Sequence, residues 1–260
     1  MAPVDDLDRR FGGLRRLYGP TGYARLRAAA VAVVGVGGVG SWAVEALARC
    51  GVARLVLIDL DHVSESNVNR QLQATEDTLG MAKVQALRER IARIHPGCEV
   101  VAVEDFVTAD NWPTLIEALP FDVDGVIDAC DQAAAKRSMA AWALRTRRSL
   151  VCVGAAGGKQ SAQSVAVADL SDVTHDPLLS GLRQRLRREA MAPRKGRIGL
   201  RCVYSAEAVQ LPWPQDAQAP ACGPQPDLSC HGYGSSVMVT ATFGMTAAGE
   251  CVRQLLEKSG

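Results

Sequence analysis

Residues 31–41 read Val-Ala-Val-Val-Gly-Val-Gly-Gly-Val-Gly-Ser, and this one stretch limits the fold more than any other. A short apolar run ends directly in Gly35-x-Gly37-Gly38-x-Gly40, and a helical pattern begins at Ser41. A run without polar alternation is a strand covered on both faces, as in a parallel sheet. In such a strand–turn–helix unit the first glycine permits the tight turn. The second lets a ligand approach the backbone, and the third lets helix and strand pack closely. Phosphate oxygens suit the turn, because the helix's first N–H groups and its dipole point at it. Asp59 closes the next apolar run, 19 residues beyond Gly40, where a carboxylate can accept hydrogen bonds from ribose hydroxyls. A glycine turn that merely packs would need no acid there.

The same alternation continues along the chain. Apolar runs at 31–34, 55–58, 100–103, 123–127, 150–153 and 165–167 are separated by helical patterns at 41–50, 81–94, 110–119, 132–147 and 178–190, and a last helix is expected over 237–256. This predicts an α/β fold: a Rossmann-like, doubly wound, mainly parallel sheet with helices on both faces. The chain reads as one domain, 1–260, carrying a basic segment (180–201) and a Pro-rich loop (211–226) with five prolines.

Composition removes several classes of function. With 29 Lys and Arg against 28 Asp and Glu, the net charge is +1, so neither a polyacidic protein nor a wholly basic nucleic-acid binder is in view. None of the eight cysteines forms a Cys-x-x-Cys pair, which argues against a zinc knuckle of the usual spacing. The acidic start, Met-Ala-Pro-Val-Asp-Asp, is no signal peptide, and free cysteines in apolar runs fit a reducing cytoplasmic compartment. The uncharged stretch 228–249 is long enough to span a bilayer, but four glycines, six Ser or Thr and His231 favour a buried glycine-rich turn followed by a buried helix. Membrane association is not expected.

The ligand needs more than a dinucleotide loop. After Asp59 comes Asp61-His-Val-Ser-Glu-Ser-Asn67-Val-Asn69-Arg70-Gln71, then Gly80-Met-Ala-Lys83 opening a helix. A neutral nicotinamide leaves Asn67, Arg70 and Lys83 without a task. A triphosphate calls for cations on its β and γ oxygens. Asp128-Ala-Cys-Asp131 ends a later strand, where a carboxylate can hold Mg²⁺ against phosphates. Taken singly, each of these residues would pass for a solvated loop charge.

Together the five motifs, in this order, resemble the adenylating fold of the ubiquitin-activating-type (E1-like) enzymes, a family that also includes activators of sulfur-carrier proteins. The resemblance implies that Gly35, Gly37, Gly38, Gly40, Asp59, Asp61, Asn67, Arg70, Lys83 and Asp131 bind ATP, with Asp59 on the ribose and Asn67, Arg70 and Lys83 on the phosphates. It implies Arg70, Lys83, Asp131 and Arg16 as catalytic residues, Asp131 as the Mg²⁺ ligand, and a homodimer in which an arginine reaches the partner's triphosphate. Arg16 matches that arginine better than Arg10.

The second half of the chain points to one branch. Residues 180–201 carry eight basic side chains against one acid, Glu189. Arg183, Arg185, Arg187, Arg188, Arg194, Lys195 and Arg197 are candidates to track a nucleic-acid backbone, weighed against an ordinary solvated helix face. His175-Asp-Pro-Leu, Arg194-Lys-Gly and Gly232-Tyr-Gly-Ser-Ser are similar to the branch that acts on threonylcarbamoyladenosine in tRNA. That similarity implies ATP-dependent cyclisation of N6-threonylcarbamoyladenosine beside the anticodon. The threonyl carboxylate is activated, and the net change is loss of water. The rival inside the fold is an adenylating activator of a ubiquitin-like or sulfur-carrier protein. The rival outside that activity is an NAD-dependent oxidoreductase. A cysteine desulfurase or sulfur-acceptor system is a further candidate partner. Cys230, beside His231, is a thiol candidate that cyclisation does not require. The loop 154–158 and the turn at Ser235–Ser236 are candidates for holding a monovalent cation or the adenosine.

Overall fold

The computed structural model describes residues 7–213 and 233–257. Seven strands form one sheet: β1 (Ala30–Val34), β2 (Arg54–Ile58), β3 (Glu99–Val103), β4 (Gly125–Asp128), β5 (Ser149–Val153), β6 (Val165–Asp169) and β7 (Arg201–Ser205). Their order is β3-β2-β1-β4-β5-β7-β6, parallel except for the β6–β7 pair at one edge.

Alternation along each strand builds two cores. Val31, Val33, Leu55, Leu57, Ile127 and Val151 face one side, and Ala32, Val34, Val56, Ile58, Val126 and Leu150 face the other. Helices α2 (Gly40–Arg49), α3 (Lys83–Ile94) and α7 (Val237–Glu257) cover the first face. Helices α4 (Trp112–Glu117), α5 (Ala133–Thr146) and α6 (Pro177–Arg188) cover the second. Burial on both faces is what the unbroken apolar runs predict.

Three features depart from the sequence expectations. An N-terminal helix, α1 (Leu7–Ala28), is kinked at Gly19, whose φ is 73°. It folds back so that Tyr23 Oη donates to Leu7 O. Its arginines hide its few apolar anchors, Phe11, Tyr23 and Leu26. Strand β7 is a second surprise, since only Cys202 and Val203 are apolar and fully buried within Arg-Cys-Val-Tyr-Ser. The run at 165–167 is a strand, but an antiparallel one, returning along β7. The 237–257 helix buries Val239, Phe243 and Ala247 in the first core. Among the described residues no helix is long and apolar enough to cross a membrane.

Candidate nucleotide site

The glycine turn leaves β1 at the carboxyl edge of the sheet, where ligands of open α/β sheets bind. Gly35 has a φ of 79°, and a Cβ there would lie 2.9 Å from Cys130 N and 3.0 Å from Ala129 O. A Cβ on Gly40 would lie 1.8 Å from Gly35 O. Only hydrogen fits at either position, so the turn closes tightly between β4 and the start of α2. No side chain caps the N-terminus of α2, which leaves that helix end available to an anion.

Two side chains hold the peptide between the glycines. Asp59, 9% exposed, accepts from Val36 N at 2.8 Å through Oδ2 and from Asp61 N at 3.0 Å through Oδ1. Burial raises its pKa, and Lys83 and the two backbone N–H groups partly offset that rise. Gln73 Nε2 donates to Val36 O at 3.0 Å and to Gln71 Oε1 at 3.1 Å. Gln73 Oε1 is buried and has no hydrogen-bond partner among the described residues.

The cations arrive on two loops. Lys83 is the first residue of α3, 6% exposed, and its Nζ lies 2.7 Å from Asp61 Oδ2. An isolated bridge between His62 and Ala82 pins that loop, and Lys83 N donates to Asp61 O. Arg70 is locked at its carbonyl, which accepts from Trp42 Nε1 at 3.0 Å and Thr240 Oγ1 at 3.3 Å. Its guanidinium donates to Ser66 O and to Asn69 Oδ1. Its Cγ lies within 3.5 Å of where a Cβ on Gly38 would sit. Asn67 is buried and accepts from Ser64 N through Oδ1 at 3.1 Å, so its amide is part of a capping box. Asp131 is half-buried beside the turn and makes no hydrogen bond or ion pair among the described residues.

The structure therefore gathers Gly35, Gly37, Gly38, Gly40, Asp59, Asp61, Asn67, Arg70, Lys83 and Asp131 along one sheet edge. It does not bring Arg16 there. Helix α1 is anchored by Phe11 meeting His95 edge-to-face and by Arg10 donating to Ile94 O, both just before β3, at the amino edge. Arg16 is exposed on that helix.

The loop end of the basic segment also lies away from the turn. Residues 194–200 lead directly into β7, and Arg197 Nε is 4.0 Å from Asp169, the residue paired with the first residue of β7. That is the amino edge, a strand length of about 17 Å from the glycine turn. Two of the candidate arginines are committed internally. Arg183 donates to Leu170 O at 3.1 Å and Val173 O at 2.8 Å, and Arg187 donates to Gly196 O at 3.2 Å. Arg185, Arg188, Arg194, Lys195 and Arg197 remain exposed.

The loop 154–158 and the 233–236 turn do meet. Gly158 N donates to Gly234 O at 2.8 Å, and Asn69 Nδ2 donates to Ser235 O at 3.0 Å. Cys230 and His231 lie outside the described residues, as does most of the Pro-rich loop. The sequence reading missed Gln73 and Lys136, and it named Asp128 only within the strand end that carries Asp131. Lys136 carried a signal: it shares a helix face with Met139, Ala140 and Ala143, where a lone cation needs a buried partner.

This fold and edge define a nucleotide-binding α/β protein that sets cations and a carboxylate beside a phosphate-type turn. The ThiF family profile matches residues 9–259, and the chain belongs to that family. It is 37% identical over 262 residues to the tRNA threonylcarbamoyladenosine dehydratase of Haemophilus influenzae, covering 99% of this chain and 97% of the relative. It is 39% identical over 257 residues to the Escherichia coli protein of the same name, covering 96% and 95%. The crystal structure of the E. coli tRNA N6-threonylcarbamoyladenosine dehydratase in complex with ATP superposes with a TM-score of 0.86, at 38% identity over 99% of this chain and 98% of that one.

Proposed function

We propose that this chain is an ATP-dependent tRNA threonylcarbamoyladenosine dehydratase. It activates the threonyl carboxylate of N6-threonylcarbamoyladenosine beside the anticodon and closes it to the cyclic form. The observation that supports this best is the convergence of the turn, Asp59, Arg70, Lys83 and Asp131 at one sheet edge, in a chain matching dehydratases over nearly its whole length.

In this reading the residues divide the work as follows. The N–H groups of the turn and of α2 take phosphate oxygens, and Asp59 takes the ribose hydroxyls. Lys83 and Arg70 neutralise the phosphates as charge shifts during transfer. The free carboxylate of Asp131 fits Mg²⁺, which is often bound through one carboxylate plus substrate phosphates. Among the described residues there is no cluster of three His, Cys, Asp or Glu side chains that could cage a metal. When bound, Mg²⁺ would supply charge neutralisation at the phosphates. The carboxylate oxygen bonds to a phosphorus of ATP and expels pyrophosphate (or ADP); attack of the carbamoyl group on the activated carbonyl then expels AMP (or phosphate), loses its proton to solvent and closes the ring. The turn joining 154–158 to 233–236 is our candidate for the adenosine or a monovalent cation.

The whole chain serves as one domain in this proposal, working in the cytoplasm where tRNA is found. Arg185, Arg188, Arg194, Lys195 and Arg197 contact the tRNA backbone. Arg16 acts on a second copy of the chain. It sits beside Leu17, 69% exposed, and Tyr18, 37% exposed, a combination that suits burial against another protein.

The test is nucleoside mass spectrometry of tRNA carrying the uncyclised modification, incubated with the protein and Mg-ATP. Loss of one water that depends on ATP supports the proposal. Unchanged tRNA, with ATP consumed only when a glycine-tailed carrier protein is added, overturns it in favour of carrier activation.

A further inference from the structure

The nucleotide site draws on the side chains of its rim and leaves the most deeply buried lysine of the described residues unused. Lys136 is 0% exposed, one turn inside α5. Its Nζ donates to Asp128 Oδ2 at 2.7 Å and Val153 O at 2.9 Å, with Asp128 O at 3.4 Å. Asp128 is also 0% exposed, and its second oxygen, Oδ1, accepts from Cys130 N at 3.3 Å and Cys130 Sγ at 3.1 Å. Burial alone would push the ammonium's pKa down, but the Asp128 carboxylate holds it above the ordinary lysine value. The ammonium is therefore charged, and both side chains are fully partnered.

Its position matters more than its energy. A buried ion pair recovers little beyond its own desolvation, and well-packed apolar residues often do as well. Three carbonyl-edge points meet on this one ammonium: the end of β4, the end of β5 and, through Asp128, the backbone of Cys130. The Ala129–Cys130 backbone is the wall against which Gly35 closes, and Asp131 is the next residue. On the other side, Val153 leads into Gly154 and Ala155, and Ala155 N donates to Asp176 Oδ2 at 2.9 Å. Lys136 thus ties the strand end that carries Asp131 to the strand end that carries the 154–158 loop.

We propose that Lys136, with Asp128, is a positioning residue: it fixes the 129–131 turn so that the Asp131 carboxylate meets the nucleotide, and it sets that carboxylate's distance from the 154–158 loop. The inference rests on the dehydratase reading for its turnover assay and on the nucleotide site alone for its binding assay.

The experiment uses the full-length protein. Lys136→Met alone leaves Asp128 buried without a partner and so perturbs the fold together with the site. The pair Asp128→Leu with Lys136→Met removes both charges and keeps an apolar filling, and it is the decisive variant. We expect it to melt within about 5 °C of the parent, because replacing a buried pair is close to neutral. We expect turnover at saturating Mg-ATP to fall by about 100-fold, the cost typical of a displaced reacting geometry. Adding Asp131→Asn should then cost under about 3-fold more, although it costs far more in the parent, because residues acting as a unit are not additive. The same cycle is read in the dissociation constant for Mg-ATP. Near-parental turnover in the folded double variant overturns the proposal, as does a full additive Asp131→Asn penalty in both backgrounds. If the parent itself does not dehydrate tRNA, the dehydratase reading fails, and the coupling between positions 136 and 131 is still decided by Mg-ATP affinity.

Discussion

Two glycines of one turn should fail in different ways. A Cβ at Gly40 would sit 1.8 Å from Gly35 O, whereas carbon and oxygen settle at about 3.3 Å. The two backbones must part by about 1.5 Å, and no side-chain rotation can relieve the overlap. Overpacking of this kind costs about 3 kcal/mol, or roughly 6–12 °C of melting temperature in a chain of this size. A Cβ at Gly38 meets nothing closer than Arg70 Cγ and Thr240 Cγ2, each at 3.5 Å, which is ordinary contact. Gly38→Ala should therefore fold within about 0.5 kcal/mol of the parent. Its methyl group, however, enters the gap between the turn and Arg70, where a phosphate must approach. A misplacement near 1 Å costs about 100-fold in rate, and a loss of the same size is expected in affinity. The assay is thermal melting with and without Mg-ATP at 100 times the parent's dissociation constant. Binding stabilises the parent by about 2.7 kcal/mol, a rise of roughly 5–10 °C. Gly38→Ala should rise by only about 1 °C under the same conditions. A full ATP-dependent rise in Gly38→Ala would refute the phosphate cradle. Parental stability in Gly40→Ala would refute the packing argument.

Other outcomes follow from single side chains. Asp131→Asn should abolish turnover with no loss of melting temperature, since the carboxylate has no hydrogen-bond or ion-pair partner among the described residues; near-normal turnover removes it from the site. Neutralising Arg185, Arg188 and Lys195 should weaken tRNA binding and flatten its dependence on salt, by about one unit of slope for each phosphate no longer neutralised, whereas an unchanged slope removes this segment from the RNA. Glu250 accepts from Arg201, Arg253 and Gln254, and although burial opposes it, these bonds lower its pKa to about 2. A carboxylate with a depressed folded pKa stabilises above its unfolded pKa and loses that contribution as pH falls through the folded value. Glu250→Gln should therefore lower the melting temperature at pH 7 and make little difference near pH 2, and an equal loss at both pH values would contradict the ion-pair origin.

The parts of this molecule legible in the sequence are those where one residue type has few alternatives. Gly35 and Gly40 admit no Cβ, so the strand–turn–helix unit and its register could be read directly. The apolar runs of β1 and β2 are buried on both faces, and this gave the parallel sheet. Asp59 could be placed because a carboxylate at that strand end has a backbone to hold, here Val36 N and Asp61 N. Strand β7 was hidden because burial there rests on two residues flanked by Arg201 and Tyr204. Helix α1 was hidden because arginines whose heads reach outlying carbonyls, such as Arg25 to Leu256 O and Arg27 to Gly51 O, read in one dimension as solvated charge.

Charge misleads in the same way throughout the chain. The basic run 180–201 looks uniform in sequence, yet Arg183 spends its guanidinium on two loop carbonyls while Arg185 faces solvent. Counting cations therefore overstates the free charge of this segment, and the excess is structural. Lys136 is the opposite case, a cation that sequence pattern assigns to a helix and that the fold places in the dry centre of the working edge. Which arginine is a fastener and which is free to meet a ligand depends on whether a carbonyl lies within reach. That depends on the amino or carboxyl end of a strand at which the side chain emerges. Strand direction is fixed by the crossovers of the doubly wound sheet. Topology therefore separates Arg70 and Lys83 at the carboxyl edge from the basic loop and Arg16 at the amino edge, a division that residue identity alone does not carry.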